Sequence, residues 1–564
     1  MTYFSVLLLS LLLTIVLMPI LVRMALRFGI VDMPDARKVH SAPVPRIGGL
    51  AIALGSCIPF ALWHQTSEFT IAWLVGAGIL VLLGLIDDIR GLDYKIKFLG
   101  QIAAAMIMVF YGGLRIESLG GLLPESIILP QWFSIALTLV AIIGVTNAIN
   151  LSDGLDGLAG GICFLCLCCI AYLAFTIENM VILFAAISLA GAVFGFLRFN
   201  TYPATLFMGD TGSLFLGFSV ITFSLSITQG STPLSPVLPL LILGFPVLDT
   251  LTVMSERIAD GRSPFAPDKN HFHHRMLRLG FFHTESVFMI YVFQAVLVIT
   301  AIVFRYHSEW FLLSSYLAFS GMVLLVFFTA EKYGWKIRRF DLVDRIIKGH
   351  LQIIVKQGLL IKLSFRVVEY GLPVLLLFSC FIPSAIPDYF HILSAVLFLL
   401  LLIIWLVTMS RLRSGALALY LSIPLSWLRR AVLTLCLYLF IPVLIYVGVT
   451  HKAPWFSEEL ENIYNVVYLV LMAFVILTLK FSRRKKGFKV TTMDFLILFL
   501  VFIVPLIGGT YLQYKSMGLI VAMTVMLFFS YEVLIGELRG NLNRLSYLTL
   551  ASLLLVAGRG FLGF

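Results

Sequence analysis

The sequence predicts an all-α polytopic membrane protein. It reads as an eleven-helix core in residues 1–330, a cytoplasmic amphipathic linker over 331–365, and a membrane extension of about six further transmembrane helices over 366–564. Three observations predict this. Of 564 residues, 60% are hydrophobic and 12% charged, with mean hydropathy +1.03, whereas a soluble domain is about half apolar and about a quarter charged. Apolar runs near the length a bilayer demands, about 20 residues, recur along the whole chain. The net charge of +11 would suggest nucleic acid in a soluble protein, but here the basic residues cluster in short loops between apolar runs, the positive-inside pattern of a membrane protein.

In the first half the apolar runs fall near 4–26, 49–63, 71–86, 98–112, 132–149, 161–177, 180–197, 212–228, 234–255, 286–304 and 309–329. The first has no basic stretch before it and no small-residue cleavage site after it, so it reads as an uncleaved span. With the N-terminus outside, the loops at 27–48, 87–97, 150–160, 198–211 and 256–285 all face the cytoplasm and hold most of the lysines and arginines. The opposite loops hold only Arg115 and Arg305, among five glutamates, so charge and helix parity agree. All seven cysteines lie inside apolar runs and read as small apolar side chains, not as disulfides or a metal site. Residues 331–365 interleave basic and apolar positions at helical spacing and fit a helix lying along the membrane surface. Further spans are expected near 367–384, 392–409, 431–449, 464–481, 492–510 and 516–535; 415–427 is short for a crossing, and 545–558 is ambiguous.

The polar stretches of the first 330 residues all fall on one side, as a site assembled from helix ends requires. Ionisable groups at membrane depth cost roughly 2.5–3.5 kcal/mol each on insertion scales, so such clusters need a partner or a task. Asn147, Asn150 and Asp153 are three apart and share a helix face, and Gly154 and Gly157 let a ligand approach the backbone near Asp156. The plainer reading is a polar helix end, with Asp153 or Asp156 capping the next helix. Asp87 and Asp88 are adjacent carboxylates that a cation would relieve, although an isolated Asp-Asp is more often a solvated helix end. Asp210 precedes another helix, as an N-cap or as a hard ligand for Mg2+, and Phe207 beside it offers a ring for a base. His271, His273 and His274 sit with Lys269, Arg275 and Arg278; the basic neighbours oppose zinc and favour an anion cradle. Asp249 reads as a helix–helix hydrogen bonder or a substrate contact.

These motifs resemble a known family, the polyprenyl-phosphate N-acetylhexosamine-1-phosphate transferases. The Asp-Asp pair, NAINLSDGLDGLAGG, FMGDTGSLFLGF and HFHHR carry the resemblance over about residues 1–330, in the family's order and spacing. DARKVHSAPVPRIGG and the interrupted HFHHR look like the WecA-like branch, which uses UDP-GlcNAc, more than the MraY branch. The resemblance implies transfer of HexNAc-1-phosphate, GlcNAc-1-phosphate first, from a UDP-sugar to undecaprenyl phosphate with release of UMP. It implies an active site on the cytoplasmic face of a bacterial inner membrane. Asp87 and Asp88 would be the catalytic pair, with Mg2+, or Mn2+, at Asn150 and Asp210. Uracil would meet Asp156, Asn200 and Phe207; Lys95, His271, His273, His274 and Arg275 would meet phosphates; and Lys38, His40, Arg46 and Asp153 complete the expected substrate contacts. The implied partners are a UDP-N-acetylhexosamine, the polyprenyl phosphate, the membrane and at most a second copy as a homodimer, with no nucleic acid. A transferase for phospho-MurNAc-pentapeptide is the neighbouring alternative, and a secondary transporter the alternative from another class. The resemblance does not reach residues 331–564.

Overall fold

The computed structural model of the protein describes residues 2–33, 43–63, 67–124, 129–263, 270–335, 359–413, 425–481 and 542–562, with single helical residues between 496 and 535. The chain forms two compact units, one dominated by Met1–Arg338, the other by Arg339–Lys489 and Ile497–Phe564. Ten of the described helices are long and apolar enough to cross a membrane, which makes this an all-α polytopic membrane protein.

Each apolar run of the first half is helical, and the histidine loop adds one short helix. In order they are α1 (Thr2–Phe28), α2 (Gly48–Trp63), α3 (Glu68–Arg90), α4 (Tyr94–Phe110), α5 (Gln131–Ser152), α6 (Leu158–Thr176), α7 (Met180–Asn200), α8 (Gly209–Thr228), α9 (Leu238–Ile242), α10 (Gly244–Ala259), α11 (Phe272–Arg278), α12 (His283–Val303) and α13 (Glu309–Lys332). Helix α8 is the hub, packed by α2, α3, α5 and α6 and buried almost along its whole length. Its sequence permits this, being apolar or small on every face. Glycines let neighbours come close at its start: a Cβ on Gly49 would strike the Gly212 backbone, and one on Gly84 the Thr211 backbone. Two short strands, β1 (Val31–Asp32) and β2 (Val44–Pro45), pair antiparallel just before α2.

One expectation fails here. The run at 234–255 is not one helix but two, α9 and α10, broken at Leu243. Pro246 lacks an N–H, and its ring would collide with the carbonyl four residues back, which is that of Ile242. The freed groups are taken up by a neighbour: Gln294 of α12 donates to Ile242 O (2.7 Å) and accepts from the Phe245 N–H (3.3 Å).

The second unit contains α14 (Leu359–Ser379), α15 (Asp388–Arg413), α16 (Leu425–Thr450), α17 (Glu458–Phe481) and α18 (Asn543–Leu562). Helix α14 starts inside the stretch expected as a surface linker, most of which (336–358) lies outside the described residues. The ambiguous run 545–558 is α18, whereas 415–427, 492–510 and 516–535 lie largely outside the described residues. Leu376, Phe390, Leu433, Phe440 and Leu553 belong to the core of this unit.

Candidate active site

At one end of the first unit the expected loops meet, and α8 explains how. Its N-cap position, Met208, makes no side-chain cap, so the first N–H groups need an acceptor from elsewhere. Asp88 of α3 supplies it, accepting from the N–H of Asp210 (3.0 Å), the N–H of Thr211 (3.1 Å) and the Thr211 hydroxyl (2.7 Å). Asp88 is thus an N-cap delivered from another helix. Gly209 makes room for it: its φ is +69°, and a Cβ there would lie 2.3 Å from Asp88 Oδ2.

That cap brings Asp210 to the base of α3. Asp87 and Asp210 each give one oxygen to the ammonium of Lys97, at 3.1 and 3.0 Å. Asp87 also accepts from the Leu92 N–H (2.6 Å). Asn150, at the end of α5, donates to Asp210 Oδ1 (3.3 Å) and to the Ser213 hydroxyl (2.8 Å). One turn earlier Asn147 pairs its carboxamide with that of Gln101 on α4. Just past α5, burial pushes the Asp153 carboxyl up to about 7, aided by the charges of Asp210, Asp88 and Asp156 and opposed by Arg46.

A second group of contacts binds the DGLDG loop to the loop after α7. Asn200 is buried and fully engaged, accepting from the Gly157 N–H (2.9 Å) and donating to Leu206 O (2.9 Å). Asp156 accepts from the Ala204 N–H (2.9 Å), and its own N–H donates to His283 Nε2 (3.2 Å). The His283 ring stacks on Tyr202 with centroids 4.6 Å apart. Half-buried Phe207 joins the loop before α2, its N–H donating to Pro45 O and its carbonyl accepting from the Gly48 N–H (2.9 Å each). Nearby, Arg46 pairs with Asp32 at 2.5 Å.

The histidine loop closes the same end. Asp249 of α10 binds His271 Nδ1 (2.9 Å) and accepts from the Phe272 N–H (2.8 Å), capping α11 as Asp88 caps α8. His273 lies over Gly154, where a Cβ would sit 2.4 Å from Nε2. Burial, then the neighbouring His274, His271 and His283, pull its pKa down to about 3, so His273 is a neutral hydrogen-bonding group at pH 7.

Several expectations shift. Lys95 is exposed with its Nζ 6.0 Å from the Tyr94 ring centroid, and the lysine in the cluster is Lys97. Arg275, expected on a phosphate, is a buried clamp: it donates to Glu256 and Asn270 O and lies 3.6 Å from Glu331. Asp249 holds the histidine loop, and Asp210 is not an N-cap but the second residue of α8. Neither Asp153 nor Asp156 caps α6, which follows Gly157 without a side-chain cap. Lys38, His40 and Lys269 lie outside the described residues. Lys97, Gln101, Tyr202 and His283 are additions. For Lys97 a signal existed: Gln101, Ala104, Ala105 and Met108 mark the buried face of α4, and Lys97 falls on it while Lys95 does not. Tyr202 and His283 carry no comparable signal.

Among the described residues no group of three or more His, Cys, Asp or Glu comes together as metal ligands. The donor set nevertheless fits a hard cation at Asp210: its carboxylate converges with that of Asp87 on a positive charge, beside the Asn150 carboxamide.

Residues 70–228 match the model of glycosyl transferase family 4. The chain is similar to a probable undecaprenyl-phosphate N-acetylglucosaminyl 1-phosphate transferase of Bacillus subtilis, 39% identical over 323 residues that make up 56% of this chain and 88% of that protein. It is 30% identical to the undecaprenyl-phosphate alpha-N-acetylglucosaminyl 1-phosphate transferase of Escherichia coli (strain K12) over 334 residues, 58% of this chain and 88% of that one. The protein of that name from Salmonella typhi is 31% identical over 335 residues, with the same coverage of 58% and 88%.

Proposed function

Since the chain belongs to the family of the undecaprenyl-phosphate N-acetylglucosaminyl 1-phosphate transferases, we propose that it moves GlcNAc-1-phosphate from UDP-GlcNAc to undecaprenyl phosphate, releasing UMP. The reading places residues 1–330 as the transferase and 331–564 as an accessory extension. It places the site on the cytoplasmic face of a bacterial plasma membrane, the side that the loop charges favour.

The observation that carries the reading is the meeting of Asp87, Lys97, Asn150 and Asp210 beside the DGLDG and histidine loops. Attack on a diphosphate asks mainly for positioning and charge neutralisation. Asp210, with Asn150 and Asp87 beside it, would hold Mg2+, which supplies charge stabilisation to the departing phosphate oxygens. Lys97 and the histidine loop offer donors to the diphosphate; His273 does so as a neutral ring. Asp88 and Asp249 act through structure, fixing α8 and α11, and Asn200 and His283 hold the loops that flank Phe207, the surface offered to uracil. The acceptor is a phosphate monoester, largely dianionic at pH 7 because its second pKa is about 6, so Asp87 serves to orient it more than to remove a proton. A secondary-transport pathway would want its carboxylates at mid-bundle in broken helices, whereas Asp87, Asp88 and Asp210 stand at helix ends.

Purified protein given polyprenyl phosphate and a panel of UDP-sugars, with and without Mg2+, tests the proposal. UMP release is expected first with UDP-GlcNAc and only with the metal. Equal rates after chelation, or no release with any UDP-N-acetylhexosamine, would reject it.

A further inference from the structure

Within the same cluster a cation already occupies the carboxylate oxygens that a divalent ion would need. Every one of those oxygens has a donor: Asp87 Oδ1 takes the Leu92 N–H (2.6 Å), Asp210 Oδ1 takes Asn150 Nδ2 (3.3 Å), and the two Oδ2 atoms share Lys97 Nζ at 3.1 and 3.0 Å. An ion ligated by Asp210 therefore meets the ammonium at ligand distance, and two positive charges so close repel strongly in a partly buried setting. We propose that Lys97 is an exchangeable counter-ion: it competes with the divalent ion for Asp87 and Asp210, and the diphosphate of the nucleotide-sugar settles the competition by accepting the displaced ammonium.

The side chain suits this task. Lys97 stands in the first turns of α4 and is only half-buried, and a lysine carries a compact charge on a flexible stem with three rotatable donors. It can turn from carboxylate to phosphate without backbone movement. The inference rests on the metal-dependent transfer proposed above and adds a consequence. Metal and nucleotide must bind with positive coupling, since each removes a charge that opposes the other, and the coupling is reciprocal.

The test is Mn2+ binding to the purified full-length protein, followed by electron paramagnetic resonance with and without UDP, so that no turnover is needed. Wild type should bind Mn2+ at least about tenfold more tightly when UDP is present. Lys97→Gln should bind Mn2+ alone about tenfold more tightly than wild type and lose most of the UDP enhancement. A purely structural role for Lys97 would not raise metal affinity. Lys97→Arg keeps the charge and can grip a carboxylate through two donors, so it should bind Mn2+ no more tightly than wild type; this variant and the UDP effect on wild type decide the matter even if Lys97→Gln does not fold. Equal or weaker Mn2+ binding by Lys97→Gln, tighter binding by Lys97→Arg, or no UDP effect on wild type would overturn the competition while leaving the transfer reading standing. No Mn2+ binding by any form, with or without UDP, would remove the metal reading and this inference together.

Discussion

The two units are made of similar apolar helices and differ in what their polar side chains are used to hold. In the second unit some hydroxyls tie helices together, as Tyr531 does to Leu372 O and Ser379 to Tyr464, while those of Ser394, Thr408 and Thr549 each donate to the carbonyl four residues back on their own helix. Such a bond satisfies the hydroxyl wherever the helix lies and asks nothing of another element. At the functional end of the first unit the polar groups reach across the chain: Asp88 to α8, Asp249 to α11, Asn200 to two loops, Lys97 to two helices. A carboxylate in that setting is costly to bury and is kept by what it holds. Polar content does not separate the units; carboxylates that cap another helix mark the functional end of the first.

The largest effect is expected at Asp210. Asp210→Asn should lower UMP release by about a thousandfold, the scale of several kcal/mol of lost transition-state stabilisation. Ser379→Ala, in the second unit, should leave the rate unchanged. Near-full activity in Asp210→Asn would erase the contrast.

Gly209→Ala comes next. It puts a side chain at φ +69° and drives a methyl into the Asp88 carboxylate, so about 2–3 kcal/mol of stability should go, from left-handed strain and a lost cap. A melting curve in detergent reads it, and an unshifted transition would refute the trans-cap. Gly154→Ala meets the His273 ring first, a side chain that can yield. The protein should stay folded while KM for UDP-GlcNAc rises by roughly tenfold through misplaced contacts; a kcat loss at unchanged KM would count against a binding role for the loop.

A smaller effect follows from pH. His273 is held near 3 in the fold against an ordinary value of 6.5, so the unfolded chain binds the proton more readily. The stability this group contributes is whole above pH 6.5 and is lost as pH falls toward 3. His273→Gln should flatten that part of the stability–pH curve; an unchanged slope would place the proton elsewhere. The smallest effect belongs to the second unit itself. A chain ending after residue 338 should keep transferase activity to within roughly twofold, as expected of a unit with its own core, and a hundredfold loss would show that the extension does more than accompany.

Much of this was legible in the sequence, for reasons that differ by residue. Apolar runs register directly as helices because the bilayer leaves few other options for such segments. The gathering of Asp87, Asn150, Asp210 and the histidines could be inferred from loop parity, since every second loop must share a side. The break at Leu243 was hidden: Pro239 and Pro246 are visible, but the Gln294 that makes the break tolerable lies about fifty residues away in sequence. Lys95 and Lys97 could not be told apart by composition, because their difference is one of helical phase, set by the α4 cap at Asp93. The structural work of Asp88 was equally hidden, since nothing local announces that a carboxylate will cap a helix more than a hundred residues later.

That delayed cap has a consequence for biogenesis. While α3 threads into the bilayer its terminal Asp88 has no helix to cap, and the front of α8 is likewise unfinished until α3 stands beside it. The two segments complete one another, so the charged cluster cannot mature on a half-made chain. The cluster is complete only where the eighth helix stands against the third.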